Sequence, residues 1–395
     1  MLPSTRRSSV ACSQTDTRNS HARRVLHWPD MKRLWLPLLA TLALAAVAAP
    51  AQAAPITLKK SMWGPVQVDG VSQFPKYADL GVGIYQYSLN WADVAPTRPV
   101  DPANPSDPAY QWPAEVDAAI AEGRKHGIKV SLMLIGAPPW ANGGREFRWV
   151  PDKASDFAVF ARAAARRFPG VRHWMIWSEP TKAQNFQPLD PDDGKALTAD
   201  KLRGPHKYAE ILDASFAALK RESKANLVIG GNTFTVGTVA PLRWVRALRL
   251  PGGRRPRMDL WGHNPFSARV PDLKAPPLGN GFADFSDLDQ LARTLDKAFK
   301  GAKLRRQRHM KLFLSEYSLP TDHENFEFNF FVSRAIQAKW LTKALRITRS
   351  YKRIYTFGYL SLGDDAVRED GLQVERGLIT RSGERKPGYD AFKKG

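Results

Sequence analysis

Short apolar runs and helix-period repeats alternate along this chain from residue 60 to its C-terminal end. The runs lie at 83–89, 128–135, 171–177, 227–230, 258–262, 311–314 and 353–359, and 60–63 supplies one more before them. Each is apolar almost throughout, which is how a strand buried on both faces of a parallel sheet reads. Between the runs, the apolar spacing changes to that of helices. Residues 113–126 open on Pro113, place Val116, Ala119 and Ile120 on one face and stop at Gly127. Residues 155–168 open on Ser155 as a cap and carry Phe157, Phe160, Ala164 and Phe168, and similar patterns cover 208–219, 286–299 and 328–347. Eight buried strands alternating with helices, without repeats or a low-complexity linker, predict a single-domain (β/α)8 TIM barrel. A doubly wound sheet competes, but no glycine-rich phosphate turn follows the first strand.

The first 53 residues do not belong to this pattern. Lys32 and Arg33 precede an apolar stretch at 34–49, and Ala51, Gln52 and Ala53 follow as a small-x-small site. Residues 31–53 therefore read as a secretory signal peptide, with 1–30 as an over-extended start and Met31 as the initiator. A twin-arginine signal built on Arg23 and Arg24 is the weaker alternative. The domain proper is 54–395, and the expected location is extracellular or periplasmic. The apolar stretch is short for a membrane span and no second one follows, so no stable membrane insertion is expected after cleavage. The single cysteine, Cys12, falls in the removed part. The domain can then form no disulfide, and its stability rests on its core.

Charge narrows the partners. Lys and Arg number 59 against 38 Asp and Glu, for a formal net charge of +21, which favours anionic polymers. The basic residues are scattered, for example at 162–167, 254–257 and 303–308, with no regular aromatic interleaving. A solvated basic surface fits this better than a nucleic-acid groove, so no nucleic acid is expected, while an acidic polysaccharide stays compatible. The eight histidines include no His-Glu-x-x-His, and Asp190, Asp192 and Asp193 lack the spacing of a calcium loop. No metal or cofactor is expected, and the protein is expected to be a monomer.

Two glutamates carry the candidate chemistry. Residues 174–180 (WMIWSEP) end a strand run on Glu179, and 311–317 (KLFLSEY) end another on Glu316. In a barrel these are the ends of the fourth and seventh strands, at the C-terminal rim where barrel active sites are built. Two converging carboxylates are the basic apparatus of glycoside hydrolysis. Other segments also end strands there: 86–91 with Gln86 and Trp91, 137–141 with Trp140, and 263–266 with His263 and Asn264. Trp91, Trp140, Trp177 and Tyr317 are expected to line one cleft, since aromatic faces suit the apolar faces of sugar rings. Trp63, at the end of the first strand, completes the set.

These segments resemble a known group. WMIWSEP looks like the Trp-x-x-x-Asn-Glu-Pro acid/base motif of the largest glycoside hydrolase clan, retaining (β/α)8 enzymes that include the cellulase-like family five and the xylosidase-like family thirty-nine. KLFLSEY resembles the clan's nucleophile strand, residues 262–266 (GHNPF) its sixth-strand histidine segment, and 377–389 its closing turn and helix. The resemblance runs from about Trp63 to Phe392. It implies a retaining (β/α)8 β-glycosidase that needs no cofactor and acts on an oligo- or polysaccharide, with Glu179 as acid/base and Glu316 as nucleophile; the leader pattern adds the expectation that it is secreted. The resemblance also implies that His263 and Tyr317 sit near Glu316.

Three departures bear on that expectation. Ser178 stands where the clan has asparagine, so the contact to the sugar 2-hydroxyl is altered. Gln86 stands where many relatives place an arginine beside the nucleophile, which leaves Glu316 with less help in staying ionised. Phe357 to Leu360 replace a strand-eight tryptophan. These departures keep open an alternative, a noncatalytic carbohydrate-binding barrel attached to anionic wall or extracellular polysaccharide. The polar segment 181–204, directly after Glu179, is expected to form a substrate wall.

Overall fold

The computed structural model describes residues 53–195, 197–301 and 309–395. Residues 1–52, which hold the expected over-extended start and nearly all of the expected leader, lie outside the described residues. All eight apolar runs are strands: β1 Thr57–Trp63, β2 Val82–Asn90, β3 Lys129–Ile135, β4 His173–Ile176, β5 Leu227–Phe234, β6 Leu260–Asn264, β7 Lys311–Leu314 and β8 Ile354–Tyr359. They pair in parallel, each with its sequence neighbours, and β8 closes on β1. Among the described residues a helix follows each strand: α1 Phe74–Asp79, α2 Ala114–His126, α3 Ala154–Arg167, α4 Ala199–Glu222, α5 Pro241–Ala247, α6 Leu288–Ala298, α7 Arg334–Ser350 and α8 Pro387–Lys394, with a further single helical turn, Trp91–Val94, between β2 and α2. This is the (β/α)8 TIM barrel that the pattern predicts. Among the described residues, no helix is long and apolar enough to cross a membrane.

Burial on both faces explains the unbroken apolar runs. Ile84, Met133, Met175, Ile229, Leu260 and Phe313, one from each strand from β2 to β7, pack together as a separate cluster inside the barrel. Their strand neighbours, among them Tyr85, Leu132, Trp174, Val228, Trp261 and Leu312, join the larger layer beneath the helices. A buried lysine ties the two ends of the domain. Lys60 Nζ donates to the carbonyls of Leu80, Phe392 and Lys393 at 3.1, 2.7 and 3.0 Å, satisfying the open C-terminal ends of α1 and α8.

The helix ends depart from the sequence reading where capping and packing compete. α3 begins at Ala154 with Lys153 as its N-cap, so Ser155 lies in the first turn rather than at the cap. α4 runs through Pro205 and starts at Ala199, so the last residues of the expected polar wall belong to a helix. α7 starts at Arg334, not near 328, because Ser333 Oγ accepts from Ile336 N at 3.3 Å and caps it there. The residues before it are drawn into ring contacts, Phe328 packing on both Phe266 and Phe330.

One glycine shows how tightly β7 and β8 are pressed together where the site is built. A Cβ on Gly358 would lie 2.0 Å from the Ser315 carbonyl oxygen and 2.8 Å from Gln86 Nε2. Gly358→Ala should therefore destabilise the fold by about 2 kcal/mol or more and disturb the residue before Glu316. Denaturant unfolding checks this, and an unchanged midpoint would show that the strands have room to separate.

Candidate active site

Glu179 is placed by a turn that its own neighbours hold in an unusual backbone state. β4 stops at Ile176, and Trp177 and Glu179 then take φ values of 65° and 41°. Residues with a Cβ seldom adopt that left-handed region, and such strain persists only where the surroundings over-determine it. They do so here. The Trp177 N–H donates to the Leu134 carbonyl at 2.8 Å, its indole Nε1 donates to the Asn185 carbonyl at 2.8 Å, and its ring packs between Phe157 and Phe186. Lys182 N donates back to the Glu179 carbonyl at 2.9 Å.

The carboxylate that results meets three N–H donors. Asn264 Nδ2 donates to Oε1 at 2.9 Å, Asn185 Nδ2 donates to Oε2 at 3.1 Å, and Lys182 Nζ pairs with Oε2 at 2.9 Å. Donors on both oxygens, one of them a cation, suit an ionised carboxylate.

Glu316 is placed by a clamp on the residue before it. Ser315 N donates to the His263 carbonyl at 3.1 Å. Its own carbonyl accepts from Gln86 Nε2 at 2.8 Å and from Trp63 Nε1 at 3.0 Å, and its hydroxyl donates to Gln86 Oε1 at 3.0 Å. Gln86 and Trp63 thus hold the end of β7 in register.

Glu316 itself is half-buried, and burial pushes its carboxyl up to about 8, with the charge of Glu179 adding to the rise. Lys182, the Asn264 amide and Arg376 pull the other way without cancelling it. The direction agrees with the loss of help expected where Gln86 replaces an arginine. Glu316 is therefore the member of the pair that burial and the neighbouring carboxylate push towards its protonated form.

The expected aromatic cleft is not there. Trp91, Trp177 and Tyr317 are at most 1% exposed. Trp91 stacks on Phe160, and Tyr317 packs on Phe285 and Phe357. These rings are core beneath the rim. Trp140 is half-buried in a side cavity of about 280 Å³, shared with Trp91, Tyr110 and Phe160, with the Arg98 guanidinium over its ring at 4.7 Å. His263 does not reach Glu316. Its Nε2 donates to the Ala283 carbonyl at 2.9 Å, its Nδ1 accepts from Thr233 Oγ1 at 2.8 Å, and burial lowers its pKa to about 4, so it is a neutral packing residue. Ser178 is half-buried beside Glu179.

Sequence reasoning missed Lys182 and Asn185, and gave Asn264 no specific role. The Glu179-x-x-Lys182 spacing was the available signal. Also missed was a row of rings, Phe234 on Phe266 at 5.5 Å and Phe266 on Phe328 at 5.7 Å, with Lys182 over Phe234 at one end and Arg376 over Phe328 at the other. Cavity size does not locate the site. A hollow of about 520 Å³ between Phe216, Arg257, Met258 and Phe299 has no carboxylate among its described lining residues. Among the described residues, no group of three or more His, Cys, Asp or Glu could hold a metal.

The sequence matches no protein-family model and no curated protein. Its fold does have solved neighbours. A family 39 glycoside hydrolase from the gut symbiont Bacteroides cellulosilyticus WH2 aligns at TM-score 0.61 and 15% identity, over 86% of this chain and 63% of that one. A glucosidase from Croceicoccus marinus aligns at 0.59 and 14%, over 86% and 67%. A monomeric beta-xylosidase from Caulobacter crescentus CB15 aligns at 0.54 and 17%, over 86% and 68%. The chain spans about two thirds of the length of these neighbours, and at such identities the likeness is one of fold.

The charge division has a measurable cost. An acid whose folded pKa is raised loses stability as pH climbs from its unfolded value, about 4.3, to its folded value, because the unfolded chain ionises first. Glu316→Gln should therefore raise the melting temperature more at about pH 8 than at about pH 5, by an amount corresponding to roughly 1–3 kcal/mol. Equal melting shifts at the two pH values would mean that Glu316 is not protonated in the neutral fold.

Proposed function

We propose that this chain is a secreted, monomeric, retaining glycoside hydrolase acting on a β-linked glycan without a cofactor, with Glu316 as nucleophile and Glu179 as acid/base. The observation that carries the reading is the meeting of the two glutamates, from the ends of β4 and β7, around Asn264 at the C-terminal rim. The residue pattern at 31–53 supports secretion, and the names of the fold neighbours support sugar chemistry. In this mechanism Glu316 attacks the anomeric carbon while Glu179 gives its proton to the departing oxygen. Water then attacks the glycosyl ester, with Glu179 taking the water's proton and Glu316 leaving as carboxylate. With Glu316 pushed towards its protonated form, the resting pair favours a proton on the wrong member. Sugar binding must move the proton from Glu316 to Glu179, which requires Lys182 to release Glu179. A second reading draws on that same ion pair: a barrel whose acid/base is held ionised would bind glycan without cleaving it.

Since one proton serves the pair, kcat/KM should fall as pH rises through about 8, where that proton is lost from either carboxylate. A pH profile on any active substrate checks this, and full activity well above that value would remove the shared proton from the mechanism. The function itself is tested with a panel of aryl β-glycosides and β-glucans, comparing the protein with Glu316→Ala. Loss of turnover by about 10³-fold or more, with azide restoring a glycosyl azide of inverted configuration, is the expected result. Turnover that survives Glu316→Ala would remove the nucleophile. No turnover, with glycan binding intact in both proteins, would favour the binding barrel.

A further inference from the structure

Lys182 is the unexplained cation of the site. Its ammonium lies 2.9 Å from Glu179 Oε2 and 4.5 Å from the centre of the Phe234 ring. An acid/base residue must be neutral before it can donate, and once Glu179 takes up a proton Lys182 loses its counter-charge. Arg376, the other cation near the pair, is already matched by Glu327 and by Asp365 at 2.8 Å. Lys182 is different. Its side chain is 32% exposed, it has no second carboxylate within ion-pair distance among the described residues, and the ring below it carries no charge. When Glu179 is neutralised the charge passes to Glu316, which interacts with Lys182 but makes no ion pair with it among the described residues, so the direct contact that Glu179 gives up is open to an anion carried by the ligand.

We propose that Lys182 selects glycans bearing an anionic substituent, a uronic carboxylate or a sulfate ester, on the sugar bound beside Glu179. The inference rests on the glycosidase reading of the site and deepens it by naming the substrate class. The exchange is simple in charge. The substrate anion pairs with Lys182, Glu179 is freed to accept the proton, and Glu316 is left ionised to attack. A neutral sugar offers Lys182 nothing in return for Glu179, so the ion pair between them stays closed and the site stays unproductive. The excess of Lys and Arg, which remains large in residues 54–395, draws such anionic glycans to the protein without choosing among them. The choice falls to a partly desolvated contact at the site, where an ion pair counts for more than on the surface.

The test compares kcat/KM for matched aryl β-glycosides: glucuronide against glucoside, galacturonide against galactoside, and glucoside 6-sulfate against glucoside. The protein should favour the anionic member of at least one pair by roughly tenfold or more. Lys182→Gln should collapse that ratio through a raised KM for the anionic member, and Lys182→Arg should keep most of it. The carboxylate and sulfate pairs distinguish the two sources of charge. A merely structural lysine would lower both members alike and leave the ratio unchanged, which would overturn the proposal, as would a preference for neutral substrates. If nothing is hydrolysed, calorimetric titration of oligouronides and matched neutral oligosaccharides into the protein and into Lys182→Gln separates the two failures. An anionic preference lost in the variant would leave Lys182 as the selector on a binding barrel. Equal binding of both ligands would sink the selection itself.

Discussion

Two carboxylates cannot both keep a full charge in one partly dry hollow, and the rim of this barrel is organised around that constraint. Glu179 receives Asn264, Asn185 and Lys182, and Glu316 receives the proton. The asymmetry follows from position. Glu179 sits on a turn that brings Asn185 and Lys182 back within reach of its own side chain, whereas Glu316 follows directly on a strand whose last residue is already clamped by Gln86 and Trp63. Asn264, from the intervening strand β6, bears on both, as does the charge of Lys182.

The same constraint explains why the surroundings are so rigid. A left-handed backbone at both Trp177 and Glu179 costs energy, and the buried indole of Trp177, bonded at Asn185 and packed by Phe157 and Phe186, holds it in place. Across the barrel, Gly358 lets the β8 backbone approach Ser315 and Gln86 closely enough for their mutual hydrogen bonds to form. Strain on one side and close packing on the other aim two acidic side chains at a common point, which is how a barrel rim creates a site from strands far apart in sequence.

Much of this was legible in the residues because it depends on the strands. A strand buried on both faces is mostly apolar, so the runs marked all eight strands and set Glu179 and Glu316 at their ends. Side-chain direction beyond the strand ends was not legible. WMIWSEP was read as extended to Trp177, yet the chain leaves β4 at Ile176 and turns left-handed, which drives Trp177 into the core. Trp91 and Tyr317 were misread for a related reason: a large ring at a strand end satisfies its apolar area more fully under the helices than at the rim. His263 fell on the bland side of its two readings because Thr233 and Ala283 take both ring nitrogens. Lys182 and Asn185 were missed because their contact with Glu179 exists only once the turn has formed.

The central claim is that burial beside Glu179 holds the Glu316 carboxyl protonated at neutral pH. Carbon-13 NMR of the protein labelled at its glutamate carboxyls, titrated from about pH 3 to about pH 10 alongside Glu316→Gln and Glu179→Gln, tests it most directly. One carboxyl resonance titrating near 8, absent from Glu316→Gln, is the predicted result. In Glu179→Gln, the loss of the neighbouring charge should bring that resonance's midpoint down. All glutamates titrating in the ordinary carboxylate range, or a high-pH resonance that vanishes with Glu179 instead, would contradict the account.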